Sequence, residues 1–166
     1  MAPHQDCQRQ VTIDATCDYI IAQLENTATS ADVLKIQKLL YYCQAWHLAF
    51  YNAPLFRGRF EAWVHGPVNR KIYDRFRDRS MYGVVTDADI GSDIATLNSF
   101  PGDDAFHVKG VLEAYGHLSG TQLEQLTHNE VPWQSARGDL SPNQRCNTEL
   151  DEGLMASYYR GQLPSQ

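Results

Sequence analysis

Apolar residues recur along this chain with mostly helical spacing. Ile13, Cys17, Ile20, Ile21 and Leu24 fall on one stripe, the repeat of a helix that buries one face. Thr12 stands where an N-cap belongs, so a helix over 12–25 is expected. A longer track follows through Val33, Ile36, Leu39, Leu40, Cys43, His47 and Phe50. Ser30 is placed to open it. "YNAPL" is placed to end it, because Pro54 disfavours helix at the residue before it. The resulting helix, from about Ser30 to Tyr51, is the longest element expected and the natural centre of a core.

From Leu55 to Val68 the helical repeat breaks. "FEAWV" fits a short strand or an extended segment, and "HGPV" turns the chain. Asn69 is then placed to cap a helix carrying Ile72, Tyr73 and Phe76. "MYGVVTDADIGSDIATLNSFPGDD" is rich in Gly, Asp and Ser and reads mostly as loop. Asp103 or Asp104 is expected to cap the next helix, whose track is Phe106, Val111, Leu112 and Tyr115. "SGTQ", Ser119 to Gln122, has capping-box spacing ahead of Leu123 and Leu126. "SPNQ", Ser141 to Gln144, repeats that spacing. Pro132 suits the start of a helical turn through Arg137. Leu150, Leu154 and Tyr158 are spaced four apart, with Gly161 placed to close the last helix. The fold class expected is mainly α: a single compact helical domain with a long central helix and at most a short β-hairpin or extended segment.

Composition adds bounds. The 166 residues are 43% hydrophobic and 20% charged, which suits one globular domain over 1–166. The net charge of −6 argues against non-specific nucleic-acid binding. No apolar run reaches a membrane span, and "MAPHQDCQRQ" lacks the apolar stretch of a signal peptide. Cys7, Cys17, Cys43 and Cys146 form no C-x-x-C pair, and are read as reduced thiols of a cytoplasmic protein.

"THNEVPW", residues 127–133, gathers a histidine, a glutamate and a tryptophan, with Arg137 four residues on. One reading is a structural lock: Pro132 sets the entry of a turn, Trp133 supplies buried area, and His128 and Glu130 bond backbone at a helix junction. The alternative is a small enzyme using His128 and Glu130 as a general acid–base pair. "HNE" matches the H-x-E of zinc deaminases, but the P-C-x-x-C that completes their metal shell is missing. The sequence also carries no H-E-x-x-H, Walker A, G-x-G-x-x-G or G-x-S-x-G motif. No metal and no cofactor are expected.

Two surfaces stand out as candidate contacts. Gln37, Tyr41 and Gln44 share a face of the long helix, with Lys38 beside them; amides and phenols suit an interface. Between Arg57 and Arg79 there are seven Lys/Arg and three Asp/Glu, whereas Met81 to Asp104 holds five Asp and no Lys/Arg. Arg70, Lys71 and Arg75 could therefore form a basic dock, partly covered by the acidic loop.

Three segments together resemble one family. "KIQKLLYYCQAWHLAF" is similar to the K-x-Q-K-L-x-Y-x-x-Q core helix of the Panacea domain family, the phage-associated, SocA-like and GepA-like proteins. "FEAWVHGPV", with Glu61, Trp63, Gly66 and Pro67, looks like its E-A-W-x-x-G-P-V segment. "LSGTQLEQLTHNEVPWQSAR", with Thr127, His128, Glu130, Pro132, Trp133 and Arg137, resembles its third signature. The segments occur in the family's order and span about Val33 to Tyr159 of a core at about 30–160. The resemblance implies an antitoxin that neutralises a cognate protein toxin by direct contact and not an enzyme. In its SocA-like branch it implies a proteolytic adaptor to the ClpXP protease. The short segment ahead of the core leaves little room for a DNA-binding domain, so direct DNA binding is not expected.

Overall fold

The computed structural model describes residues 10–165; His4 and Cys7 lie outside them. Its elements are α1 (Ile13–Asn26), β1 (Ala31–Asp32), α2 (Val33–Tyr51), β2 (Glu61–Trp63), β3 (Gly66–Val68), α3 (Arg70–Arg75), β4 (Val84–Val85), a 3-10 turn (Asp87–Asp89), α4 (Ile94–Asn98), α5 (Gly102–Tyr115), α6 (Gly120–His128), α7 (Val131–Arg137) and α8 (Glu152–Arg160). The mainly α class holds. The two small sheets are antiparallel pairs, β1 with β4 and the hairpin β2–β3.

α2 is the axis of the fold. Every residue from Val33 to Ala45 is buried, which a helix tolerates only when other elements surround it. α1, α5, α6, α8 and β3 pack around it. α1 presents the expected stripe, and the Thr12 hydroxyl accepts from the Ala15 N–H at 3.0 Å. Asn69 caps α3, and Ser119 with Gln122 forms the capping box of α6.

Several boundaries differ from expectation, each for a local reason. Ser30 does not open α2. Ala31 and Asp32 first pair with Val85 and Val84, and the Asp32 carboxylate then caps α2 by accepting from Lys35 N at 2.8 Å. α2 ends at Asn52, in the left-handed conformation, rather than being stopped by Pro54. α5 begins after Pro101, so Asp103 and Asp104 lie inside its first turn. The segment read as loop contains β4, the 3-10 turn and α4. In α8 the buried side chains are Met155, Ala156 and Tyr159, one position along from the Leu154–Tyr158 track. "SPNQ" forms a turn, with Gln144 accepting from Ser141 N, and no helix follows it.

Candidate functional site

The hairpin β2–β3 is fastened by side chains that reach it from three helices. Arg137 Nη1 donates to the Ala62 carbonyl at 2.9 Å, Trp133 Nε1 to Trp63 at 2.9 Å, His128 Nε2 to Val64 at 2.9 Å and Lys38 Nζ to Pro67 at 3.0 Å. Four family-signature side chains thus donate to hairpin carbonyls, and three of these, at Ala62, Val64 and Pro67, are ones the two-stranded ribbon leaves unpaired. Arg137 Nη2 also holds the turn at Ser141 and Gln144, and its guanidinium lies 4.9 Å from the centre of the Trp133 ring. Thr127 is buried and donates to Glu124 O at 2.8 Å.

Gly66 makes the close approach possible. Its φ is +95°, and a Cβ there would stand 2.6 Å from Lys38 Cε and 2.8 Å from Thr127 Oγ1. Lys38 is fully enclosed. Burial pushes its ammonium pKa down to about 7, against the opposing pull of Glu124 and Asp32.

Glu130 departs from the expectation that it bonds backbone. Its Oε1 accepts from the Tyr42 hydroxyl at 2.5 Å and the Tyr159 hydroxyl at 3.1 Å, and Tyr159 in turn meets Tyr41 at 3.0 Å. Burial lifts the Glu130 carboxyl above its ordinary range, although the two hydroxyls oppose the shift. Burial also lowers the His128 imidazolium, opposed by Glu124. The two groups therefore engage separate partners, His128 the hairpin and Glu130 the tyrosines. Neither lines the apolar groove between α2 and α5.

The tyrosine–amide face is not a surface. Gln37, Lys38, Tyr41 and Gln44 are all buried. Gln37 exchanges two bonds with Asn69, donating to its carbonyl at 3.0 Å and accepting from its N–H at 2.9 Å. Gln44 does the same for the 55–56 turn, accepting from Leu55 N and donating to Phe56 O. The polar residues of α2 brace the loops around it, and the expectation that they face a partner is corrected.

The basic helix is largely neutralised by its neighbours. Arg70 pairs with Glu61 at 3.0 Å and Lys71 with Asp14 at 2.9 Å, both cations being exposed. Arg75 is half-buried and binds Asp14, Asp18 and the Asp89 carbonyl. Asp18 also accepts from Gly91 N, Ser92 N and Ser92 Oγ. Burial pushes the Asp18 carboxyl up, but its bonds to Arg75 and Ser92 outweigh that and hold it below its ordinary value. Arg79 binds both oxygens of Asp89. The acidic loop does cover part of the basic helix, and Arg75 and Arg79 are the fasteners.

One surface was not foreseen. A groove of about 630 Å³ runs between α2 and α5, lined by Trp46 and Phe50 on one side and by Phe106, Gly110 and Ala114 on the other, with Leu163 also in its lining. Phe50 is 53% exposed and Phe106 80% exposed, although both lie on tracks that periodicity assigns to the interior. The available signal was the pair of small residues at 110 and 114, one turn apart and one turn after Phe106, which leave no side chain to cover it.

Among the described residues, no group of three His, Cys, Asp or Glu side chains is placed to hold a metal ion, and no helix is long and apolar enough to cross a membrane. Cys17, Cys43 and Cys146 are free thiols; burial raises the Cys17 thiol to about 12.

Comparison with known proteins bears on what this architecture is for. The family described as antitoxin SocA-like, Panacea domain, matches residues 36–134, which takes in α2, the hairpin, α5, α6 and the start of α7. Antitoxin SocA of Caulobacter vibrioides (strain NA1000 / CB15N) is 34% identical over 138 residues, covering 80% of this chain and 73% of that protein. No solved structure matches the chain. The matched span contains Lys38, Gly66, His128 and Trp133 of the fastened hairpin together with Glu130 of the tyrosine cluster, and by the two matches the chain belongs to the SocA-like Panacea domain family.

Proposed function

We propose that this protein is an antitoxin that holds a protein toxin inactive by direct contact. The observation that carries the reading is the similarity to Antitoxin SocA along 80% of the chain. The site chemistry supports it. The signature polar residues engage their own backbone and one another, and a rigid helical body offers surface for a partner. A further step in this reading is adaptor activity, in which the bound toxin is delivered to ClpXP in the cytoplasm, where Cys17 and Cys43 stay reduced. Arg70 and Lys71, each beside one acidic partner, are the exposed cations of the basic helix that a toxin could reach.

The test is expression of the neighbouring reading frame with and without this chain. Growth arrest by the neighbour alone, relieved by co-expression and accompanied by co-purification, is the expected result. A neighbour that is harmless, or that stays toxic beside a folded copy of this chain, overturns the antitoxin reading. Purified ClpXP with the pair then separates the two modes: an adaptor accelerates toxin degradation, whereas a simple blocker leaves the toxin intact.

A further inference from the structure

The groove between α2 and α5 constrains its occupant. Its walls are two helices whose backbone groups are spent on their own hydrogen bonds, so they offer side chains only. A strand laid there would bury unpaired N–H and C=O groups. A segment entering an apolar groove of this kind must satisfy its own backbone, which means a helix. Two of the lining's polar atoms are already engaged: Trp46 Nε1 donates to the Tyr115 hydroxyl at 2.8 Å and His107 Nε2 to the Cys43 carbonyl at 2.8 Å, which leaves chiefly the exposed Tyr51 hydroxyl. Little remains to orient a small polar molecule.

The dimensions suit a short helical contact. Phe106, Gly110 and Ala114 follow one another at four-residue steps along α5, a track of about 12 Å or two turns. A Cβ built at Gly110 meets nothing within 4 Å. Large side chains of an incoming helix can therefore settle over Gly110 and Ala114, between the rings of Phe50 and Phe106.

Charge fixes the polarity of the partner. Asp103 lies on the same face as Phe106 and Gly110, and Asp104 is next to it in the first turn. Neither carboxylate has a hydrogen bond or an ion pair among the described residues. Burial raises Asp104, with His47 and His107 only partly offsetting it, so a cation placed there would be well received. A helix running antiparallel to α5 brings its own C-terminus to this end, where its dipole also favours cations.

We propose that the groove between α2 and α5 seats an amphipathic helix of the toxin, with large apolar side chains over Gly110 and Ala114 and basic residues in the turn that meets Asp103 and Asp104. This rests on the antitoxin reading for the identity of the partner. The groove itself can be tested without it.

The probe is a fluorescein-labelled 16-residue helical peptide with leucines at i, i+4 and i+7 and three lysines in its last turn. Its twin carries glutamates in place of the lysines. On the full chain, fluorescence anisotropy should show the lysine peptide binding at least tenfold more tightly than the twin. Gly110→Trp fills the groove and should weaken binding at least tenfold with no loss of melting temperature, since Gly is the poorer helix former. Asp103→Lys with Asp104→Lys should reverse the preference between the peptides. Equal binding to wild type and Gly110→Trp, or equal binding of the two peptides, overturns the proposal. So does a wild-type dimer in sedimentation that Gly110→Trp dissociates, which would assign the groove to a second copy. With the neighbouring-frame protein, Gly110→Trp should lose rescue while staying folded. If wild type itself fails to rescue but still binds the lysine peptide, the toxin is removed as occupant and the antitoxin reading falls, while the helix-binding groove stands.

Discussion

The hydroxyl of Tyr42 donates to Glu130 Oε1 at 2.5 Å, joining the middle of the central helix to a residue 88 positions later. Tyr159 completes the site from the last helix. The glutamate of the third signature thus ties together α2, the α6–α7 junction and α8.

The titration of that glutamate should be visible in stability. Its folded pKa lies above the ordinary value of 4.5. Its contribution is therefore fully present below that ordinary value and lost as pH rises through the raised one. Urea denaturation of wild type and Glu130→Gln between pH 4 and pH 8 should show wild type losing ground to the glutamine variant as pH increases. A constant difference would contradict the shift. Glu130→Ala, which also removes the acceptor, should cost roughly 1–3 kcal/mol at neutral pH.

Lys38 should behave in the opposite sense. Its folded pKa is depressed to about 7 from an ordinary 10.5. The unfolded chain then binds the extra proton between those values, so stability rises with pH over that window and its gain is lost as pH falls towards 7. Relative to Lys38→Met, wild type should become progressively more stable from pH 7 to pH 10. A flat difference would mean that the ammonium is solvated.

Trp133→Ala should cost about 3–5 kcal/mol, from lost burial and the cavity left behind. Trp133→Phe keeps most of the ring but loses the bond to the Trp63 carbonyl, and should cost about 0.5–1.5 kcal/mol. The ordering of the two in urea melts is the check, and equal costs would show that the hydrogen bond contributes little.

Tyr41→Ala should lower melting temperature and rescue together, because Tyr41 is buried against Tyr159, Tyr42 and Phe60. A variant that melts like the parent but fails to rescue would restore Tyr41 to the interface. Reversing the charge of Arg70 and Lys71 should leave stability nearly unchanged, since exposed pairs contribute about 0–1 kcal/mol. Its effect should fall on the salt dependence of toxin association, measured by stopped flow.

Periodicity located α1 and α2 because each buries an unbroken apolar stripe. It could not show that α2 is enclosed on every side. Gln37 and Gln44 look like a polar edge in one dimension, and only folding supplies Asn69 and the 55–56 turn as their partners. The signature motifs named His128, Trp133 and Arg137 as a lock, yet nothing in the sequence shows that the acceptors they reach are the carbonyls of residues 62–64 in the other signature segment. Glu130 was expected on backbone for the same reason: its true partners, Tyr42 and Tyr159, lie 88 and 29 residues away. The groove was hidden because Phe50 and Phe106 keep interior spacing, while no described element packs over them.

The order in which the chain is made gives the central helix a particular exposure. Synthesis delivers α2 early, but Tyr41 waits 118 residues for Tyr159, and the Ala62 carbonyl waits 75 for Arg137. Until the last helix leaves the ribosome, Tyr41, Tyr42 and Trp46 have no wall on that side. A nascent or C-terminally clipped chain therefore displays its apolar centre to chaperones and proteases, so premature termination anywhere before Tyr159 yields a short-lived product rather than a smaller working protein.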